Sequence, residues 1–486
     1  MSAFGSIATE SADSENQNQQ TAMPEDETAT SELAEATAEH SEVAAEDDTA
    51  EQLGEEQEQV EDLGETIAEE SAGLTPRAAR LLNISLSRIV GAKRANKIIA
   101  TENYSSSRSA QEDAKQIALE GIKDTLKQFW EAIKAQLKKF YNKVKSFFVK
   151  VFSAARKLSE RAKKLQDKAS ETVGSIEDKS FSFSQTKAIA VDGKYNNPSD
   201  LTTGLNEIYQ WMKSNLTVKK SEDYENIIEK TQGQIEKSVK ELIDAIKTDA
   251  KNFSTQNGRS TVIRSTSKLA GVGKTSISAE LDTAGVIKIA PLGKMSSPDS
   301  KLVDMYKDKT DNTVTVEFSK GLPGGKSIVA VAVSKPTGST PIDGLTAAIK
   351  EVKQTRLLLG NDKYTPRDVT EGDVKTLTTS QIDKVCDDVI EIAEISYTYE
   401  KAWERRDKFQ SKLEREVDQI VKEVDQEDHD KVDSTVQRAV RQYAEAFTAS
   451  VRRRTTFESQ FISYALNTAS AMLNYSERSL AQHKSK

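Results

Sequence analysis

The feature that most restricts the fold is an apolar stripe at helical spacing between Ile122 and Leu165. Its members recur in 12 steps over 43 residues, and 43 divided by 12 gives a period of 3.58 residues. This is the period of a straight α-helix, whereas a sustained seven-residue repeat would wind into a left-handed supercoil. The pattern therefore predicts one long, straight amphipathic helix, whose stripe is widened by Trp130, Tyr141, Phe148 and Phe152.

The opposite face of this predicted helix is strongly basic. Residues 122–168 hold 14 Lys and Arg against 4 Asp and Glu, a net charge of +10. Regularly spaced cations can neutralise phosphates without reading a base sequence, and Arg452, Arg453 and Arg454 form a smaller patch of the same kind. The candidate polyanion-binding residues are Lys123, Lys127, Lys134, Lys138, Lys139, Lys143, Lys145, Lys150, Arg156, Lys157, Arg161, Lys163, Lys164, Arg452, Arg453 and Arg454.

Three interpretations of the basic helix remain open at this level. Its stripe can pack on the body of the protein while its lysines face water. It can lie on an anionic lipid surface, for which its aromatic residues are suited. It can also contact a polyanion. Since no fold signature for reading bases is present, binding to nucleic acid would be non-specific and strongly dependent on salt.

The N-terminal segment has the opposite charge. Residues 1–72 contain 22 Asp and Glu and no Lys or Arg, and the other 414 residues contain 55 acids and 68 bases, a net charge of +13. Low hydrophobicity combined with charge of one sign cannot offset chain entropy. We therefore expect 1–72 to be a disordered or only transiently helical, propeptide-like segment, with order beginning at the helix start Thr75-Pro76.

The remaining chain divides into three regions, and the fold class is mainly α with a smaller β-rich insertion (α+β). The predicted regions are a basic amphipathic helical region at 73–175, a mixed α/β body at 176–377, and a long antiparallel helical hairpin at 378–486 with an acidic turn at 426–430. The body has a β-rich part at 258–336. Its expected strands include Lys187–Val191, Gly285–Ile289, Thr313–Phe318 and Ser327–Val333, the last two joined by a hairpin loop at Gly321–Gly325.

Little in the sequence supports an enzyme, a metal or a cofactor. The single cysteine, Cys386, is expected to be buried, and only three histidines are present. Two segments that resemble phosphate-binding loops, at 271–275 and 324–327, have lysine where the motif requires its first glycine. An enzyme sited in 176–377 is thus the weakest hypothesis. No stretch approaches the ~18 apolar residues of a membrane-spanning helix.

A short pattern repeats within the acidic segment. Four of its five Leu or Ile residues are followed two positions later by glutamate, at Glu35, Glu55, Glu65 and Glu69. A protease can bind extended chain in such a stretch, so these four glutamates are candidate cleavage positions. The alternative is that Ala- and Glu-rich sequence generates the triplets without selection.

Leu/Ile-x-Glu is the pattern cut by prohead maturation proteases of large tailed bacteriophages, and the chain resembles the internal head proteins (prohead core or inner body) of those phages. The resemblance also rests on four further segments: Thr75–Leu82, the Lys/aromatic helix from Phe129 to Phe152, Tyr464–Ala469 and Asn474–Leu480. It implies a virion structural protein with a propeptide removed by proteolysis. Cleavage after Glu69 would remove 21 acids and no bases, moving the net charge from −9 to +12.

The resemblance also implies partners and a location. The expected partners are other capsid or core proteins, packaged DNA and the prohead maturation protease. The expected location is the capsid interior of the virion, and the host cytoplasm during assembly. The alternative from another class is a peripheral membrane-surface scaffold that uses the basic amphipathic helix.

Overall fold

The computed structural model describes residues 24–69, 73–99, 107–172, 179–250, 276–296, 314–333, 341–361, 372–426 and 434–483, with isolated positions at 176, 298, 301, 303 and 304. Helices account for most of them. The helices are α1 (Pro24–Glu69), α2 (Pro76–Val90), α3 (Ala92–Ile98), α4 (Arg108–Glu171), α5 (Thr186–Ile189), α6 (Pro198–Asn215), α7 (Val218–Ala250), α8 (Ile277–Thr283), α9 (Pro341–Gln354), α10 (Thr379–Thr398), α11 (Glu400–Gln426) and α12 (Ser434–Leu480).

Five short strands form two small antiparallel sheets in the described chain. The strands are β1 (Ser180–Phe183), β2 (Val314–Phe318), β3 (Lys326–Val333), β4 (Arg356–Asn361) and β5 (Gly372–Lys375). Strands β1 and β5 pair with each other, and β2, β3 and β4 form the second sheet in that order. The predicted fold class, mainly α with a small β part, is confirmed.

The long helix predicted from the apolar stripe is α4. Its first turn is capped by Ser107, whose side chain accepts a hydrogen bond from the backbone N–H of Ala110, the arrangement that satisfies an otherwise unpaired donor. The stripe is buried along its whole predicted length, from Ile122 to Leu165. Helical spacing thus predicted both the helix and its inward face.

One apolar cluster joins α4 to α6, α10 and α12. Trp211 of α6 lies fully buried with its ring centroid 4.3 Å from that of Phe461 of α12. On α4, the Phe148 ring stacks 5.1 Å from Trp403. Buried rings contribute large apolar areas and favourable ring contacts, so α4 and α12 form the centre of the core.

The predicted disorder of the acidic segment is wrong for residues 24–69, which form the 46-residue helix α1. Helix α1 buries Leu33, Val43, Val60 and Ile67 against the body. Its acidic side chains find cations there, so the self-repulsion expected of an isolated acidic segment is offset by tertiary partners. Residues 1–23 lie outside the described residues.

The predicted strands have mixed outcomes. The hairpin is confirmed: β2 and β3 pair from Val314↔Val333 to Phe318↔Val329, and Gly324 and Gly325 have φ of +72° and +66° in the turn. Gly285–Ile289 forms turns and bends instead of a strand, and Lys187–Val191 is mostly the short helix α5. Strands β4 and β5 lie beyond the predicted β-rich part, and neither was predicted. Short apolar runs do not distinguish a strand from a helix.

The C-terminal region contains the two long helical segments that were predicted. The first is interrupted at Tyr399, which divides it into α10 and α11, and the second is α12. Early residues of the first segment meet late residues of the second: the Leu377 N–H donates to Ser479 Oγ (3.2 Å), and Arg406 pairs with Glu458. The two segments therefore run antiparallel. The acidic turn itself lies largely outside the described residues.

Candidate polyanion interface and the helix that covers it

Helix α1 lies in a slot between α4 and α12 and runs antiparallel to both. Along α4, its acidic side chains pair with three lysines spaced seven residues apart. From the α1 N-terminus, the pairs are Glu32 with Lys157, Glu35 and Glu39 with Lys150, and Glu42 with Lys143. The next position of the same heptad series is Gln136, which donates to the Glu46 carbonyl oxygen at 3.2 Å.

The electrostatics of this row follow from the pairing. A hydrogen bond to Glu42 raises the pKa of Lys143, and one to Glu39 raises that of Lys150. Burial raises the pKa of Glu39, but hydrogen bonds from Lys150 and Ser146 outweigh it, so this pKa is lowered overall. Glu39 and Lys150 are therefore both held in their charged forms.

Helix α12 and α9 supply the other bank of the slot. The pairs there, in order along α1, are Asp47 with Arg452, Glu51 with Arg453, Glu58 with Lys353 of α9, and Asp62 and Glu65 with Arg438. Among the described residues, the two banks make at least nine ion pairs with α1. At the C-terminal end of α1, Lys115 donates a hydrogen bond to the Ala68 carbonyl oxygen (2.7 Å). A cation at this end interacts favourably with the helix dipole.

The predicted Arg452–Arg454 patch is not a free cationic surface. Arg452 is 3% exposed and pairs with Asp47, and Arg453 pairs with Glu51 at 2.7 Å. Arg454 is buried, pairs with Glu458 at 2.5 Å and donates to the Val286 carbonyl oxygen at 2.9 Å. The three consecutive helical residues point in different directions, Arg452 and Arg453 into the slot and Arg454 into the core.

The predicted cations of α4 divide between paired and exposed positions. Lys134 pairs with Asp418 (2.9 Å), and Arg161 pairs with Glu477 (2.5 Å), so these two join α4 to neighbouring helices; Lys123 is half-buried. The exposed members are Lys127, Lys138, Lys139, Lys145, Arg156, Lys163 and Lys164.

Five of the exposed cations form one straight line, which we call the outer stripe: Lys127, Lys138, Lys145, Arg156 and Lys163. They are spaced by 11 and 7 residues alternately, so at about 100° per residue each lies within ~20° of the last, and the stripe extends for about 54 Å. Arg156 also lies over the Tyr397 ring, 5.4 Å from its centroid. The outer stripe faces away from α1.

The four candidate cleavage triplets all lie in α1. Glu35 and Glu55 are exposed, and Glu65 pairs with Arg438. Glu69 is the last residue of the helix, and the next described residue, Gly73, lies outside it with φ of +82°. The predicted disorder is therefore wrong at all four triplets, and only Glu69 adjoins the helix end.

The inner face of α1 includes polar groups that sequence reasoning missed. His40 packs its ring 5.9 Å from that of Phe147, lies 3.3 Å from Ser459 Oγ, and has its pKa lowered by burial to about 4. Burial raises the pKa of Glu61 to about 8, despite the nearby arginines. The inner face could have been predicted from the seven-residue spacing of Ala36, Val43 and Ala50.

The described part of the chain bears on the sequence expectations for metal sites, the cysteine and the phosphate-loop-like segments. No group of three or more His, Cys, Asp or Glu is placed to hold a metal ion among those residues. Cys386 is buried as predicted, and burial raises its thiol pKa to about 12. Residues 324–327 form the β2–β3 turn and the start of β3, while 271–275 lie outside the described residues.

The membrane interpretation of α4 requires an apolar face that lipid can reach. Instead, Phe140, Phe147 and Val151 are fully buried in the protein core. None of the described helices is long and apolar enough to cross a bilayer. The observed burial favours the two other interpretations of the basic helix.

Comparison with known proteins identifies a family for the chain. A family model described as phiKZ-like phage internal head proteins matches residues 34–478. No curated protein and no solved structure matches the chain significantly. The matched range includes most of α1 as well as the body.

Proposed function

The chain belongs to the family of phiKZ-like phage internal head proteins, and we propose that it is packaged in the prohead behind a removable acidic helix, α1. Its role is structural rather than enzymatic. The prohead maturation protease cuts after the Leu/Ile-x-Glu triplets, and the mature body then contacts DNA and other internal proteins. The observation that carries the proposal is the docking of a helix with 18 acids and no Lys or Arg on a basic body, through the ion pairs of the two banks.

The position of the triplets favours a defined order of cutting. A protease must bind several residues in extended form, and a helix frays from its ends. The bond after Glu69 follows the last residue of α1, so it is attacked first. Each cut shortens the helix and creates a new C-terminal end. The bonds after Glu65, Glu55 and Glu35 therefore become available to the protease in turn.

Stepwise cutting also explains why one leader carries four sites. Cuts at these positions divide residues 36–69 into pieces of 20, 10 and 4 residues. Isolated helices shorter than about 12–15 residues are marginal in water, and each piece retains only part of the ion-pair row. Repeated cleavage therefore lowers the affinity of α1 for its slot, whereas a single cut would leave the whole helix docked.

The outer stripe is the surface through which the mature body contacts DNA. Its five cations are exposed, collinear and spread over about 54 Å, roughly one and a half turns of duplex. A straight row of this kind neutralises phosphates along one side of the duplex and reads no bases. Before cleavage, the negative charge of α1 on the opposite side of α4 weakens the overall attraction of the protein to DNA.

The test is the N-terminus of the protein in purified particles, measured by intact mass and N-terminal sequencing. We expect the mature chain to begin at Glu70, directly after Glu69. A particle-borne chain that still begins at Met1 or Ser2 would contradict the proposal. The unprocessed chain from heads assembled without the active maturation protease is the control.

A further inference from the structure

The slot left by α1 has the chemistry of a helix-binding site. Its banks carry cations from α4, α12 and α9, and its floor is apolar. The slot cations are Lys143, Lys150, Lys157, Lys353, Arg438, Arg452 and Arg453. Phe140 and Phe147 of α4 form part of this floor. They share one apolar cluster with Leu33, Ala36 and Val43 of the docked α1.

An empty slot would be costly, which favours its reoccupation. Arg452 is 3% exposed while α1 is docked, and departure of α1 would take Asp47 and the other α1 carboxylates away from the slot cations. Rows of like charge that have lost these counter-charges repel one another, which disfavours the emptied slot. The departure of α1 would also expose part of the apolar floor to water. Both effects are relieved only by an occupant that is acidic and apolar along one face.

Two glycines of α1 define the shape of the occupant. A Cβ atom at Gly54 would meet the carboxylate of Glu445, the end of a flexible side chain, and one at Gly64 would lie 3.2 Å from Ile122 Cγ2. Glycine inside a helix costs about 1 kcal/mol relative to alanine, so both positions indicate close approach to the walls of the slot. The slot therefore accepts a helix with small residues ten positions apart.

Duplex DNA fits the same surface poorly. The slot is only one helix wide. A DNA duplex is wider than that, because its major groove alone can admit a helix. Phosphates on the banks would also leave the apolar floor uncovered. Charge complementarity together with the apolar floor and the two close approaches thus favours a protein helix over a nucleic acid.

We propose that the α1 slot, once α1 has left, binds an acidic amphipathic helix of another head protein, with small residues where Gly54 and Gly64 lie. The proposal rests on the proposed function, because maturation is what removes α1. In the unprocessed chain α1 is the intramolecular occupant, and its tether gives it a high effective concentration that excludes competitors. Maturation would then switch on assembly between internal head proteins.

The test uses the full chain with the recognition sequence of a sequence-specific protease inserted between Glu69 and Gly73. The folded protein is cut, held at high salt to loosen α1, and returned to low salt with a fluorescent peptide of residues 24–69. We expect the cut chain to bind the peptide at least tenfold more tightly than the uncut chain, measured by anisotropy. Since the cut is introduced, the result does not depend on whether the phage protease processes α1.

Matched variants separate a shaped slot from general charge attraction. K143E/K150E/K157E should weaken peptide binding at least tenfold, while K384E/K401E/K408E, with the same charge change at exposed lysines of α10 and α11, should leave it within twofold. A peptide with Gly54→Leu and Gly64→Leu keeps its charge and should bind at least tenfold more weakly. Equal binding of both peptides, failure of the peptide to bind, or displacement by equimolar duplex DNA would each overturn the proposal.

Discussion

At the scale of single residues, the inner face of α1 carries two titrating groups with opposite effects. The pKa of His40 is lowered by burial to about 4, and the pKa of Glu61 is raised by burial to about 8. Unfolded chain binds a proton at His40 near pH 6.5, so α1 loses docking free energy as pH falls from 6.5 to 4. Glu61 holds a proton in the folded state, so docking is lost as pH rises from 4.5 to 8.

His40→Gln should therefore change the pH dependence of α1 docking rather than only its strength. We expect the free energy of α1 docking in the native protein to be greatest near pH 5–6. In that range the effect of His40 on docking and the effect of Glu61 change with pH in opposite directions. In the variant only the Glu61 slope remains, so docking strengthens down to about pH 4.5. The acid-side loss that disappears is up to about 3 kcal/mol, at 1.36 kcal/mol per unit of pKa.

The measurement is hydrogen exchange of the α1 amides, expressed as protection factors between pH 4 and 8. Glu61→Gln is the matched control, since it should remove the loss at alkaline pH and keep the loss at acid pH. Unchanged acid-side loss in His40→Gln would show that His40 does not control docking.

At the scale of elements, α1 and α4 obtain their stability differently. Helix α4 buries a continuous row of large apolar side chains, from Ile122 to Leu165. Helix α1 has 18 acids and no bases, and its buried residues include small and polar ones such as Ala36, Asp47 and Gln57. An element held by ion pairs to distant residues is suited to removal, whereas one held by large apolar side chains is not.

The cleavage order is the prediction that belongs to this scale. Glu69→Gln should delay the appearance of all the shorter fragments, because the later sites depend on a new helix end. Glu35→Gln should abolish only its own cut. The fragments are followed by mass spectrometry in a time course of head maturation, and prompt cutting at Glu35 in the Glu69→Gln chain would contradict the sequential order.

At the scale of the whole molecule, the proposed cleavage would change the sign of the net charge. The unprocessed chain carries −9, and removal of the 21 acids up to Glu69 leaves +12. Long-range attraction to DNA depends on this total field, while affinity depends on the cations that reach phosphates. The outer stripe is exposed in both forms, so the change in DNA affinity reports the loss of α1 rather than a rearrangement of α4.

We expect mature protein from particles to co-sediment with duplex DNA at low salt and the full-length chain to do so at least tenfold more weakly. Logarithmic affinity should fall linearly with the logarithm of salt concentration, with a slope near −0.9 for each phosphate neutralised. K138E/K145E/K163E, on the outer stripe, should reduce that slope by about three such steps. Equal binding by both forms, or a slope unaffected by the substitutions, would contradict a role for the stripe.

Several features followed from local sequence. Helix α4, the β2–β3 hairpin with its glycine turn, the buried cysteine and the membership of the internal head protein family were all predicted. Each depends on residues close together in the chain, or on a short motif. The strand expected at Gly285–Ile289 was wrong, because a short apolar run fits several structures until its neighbours are known.

The sequence by itself determined the segregation of charge, the long central helix and the four Leu/Ile-x-Glu triplets. Only the tertiary structure decided that residues 24–69 are a docked helix and that the Arg452–Arg454 patch is closed. The physical reason is the distance along the chain between partners: Asp47 meets Arg452, and Glu65 meets Arg438, across almost the entire sequence. Local composition therefore indicated repulsion within the acidic segment, and the fold supplied the cations that oppose it.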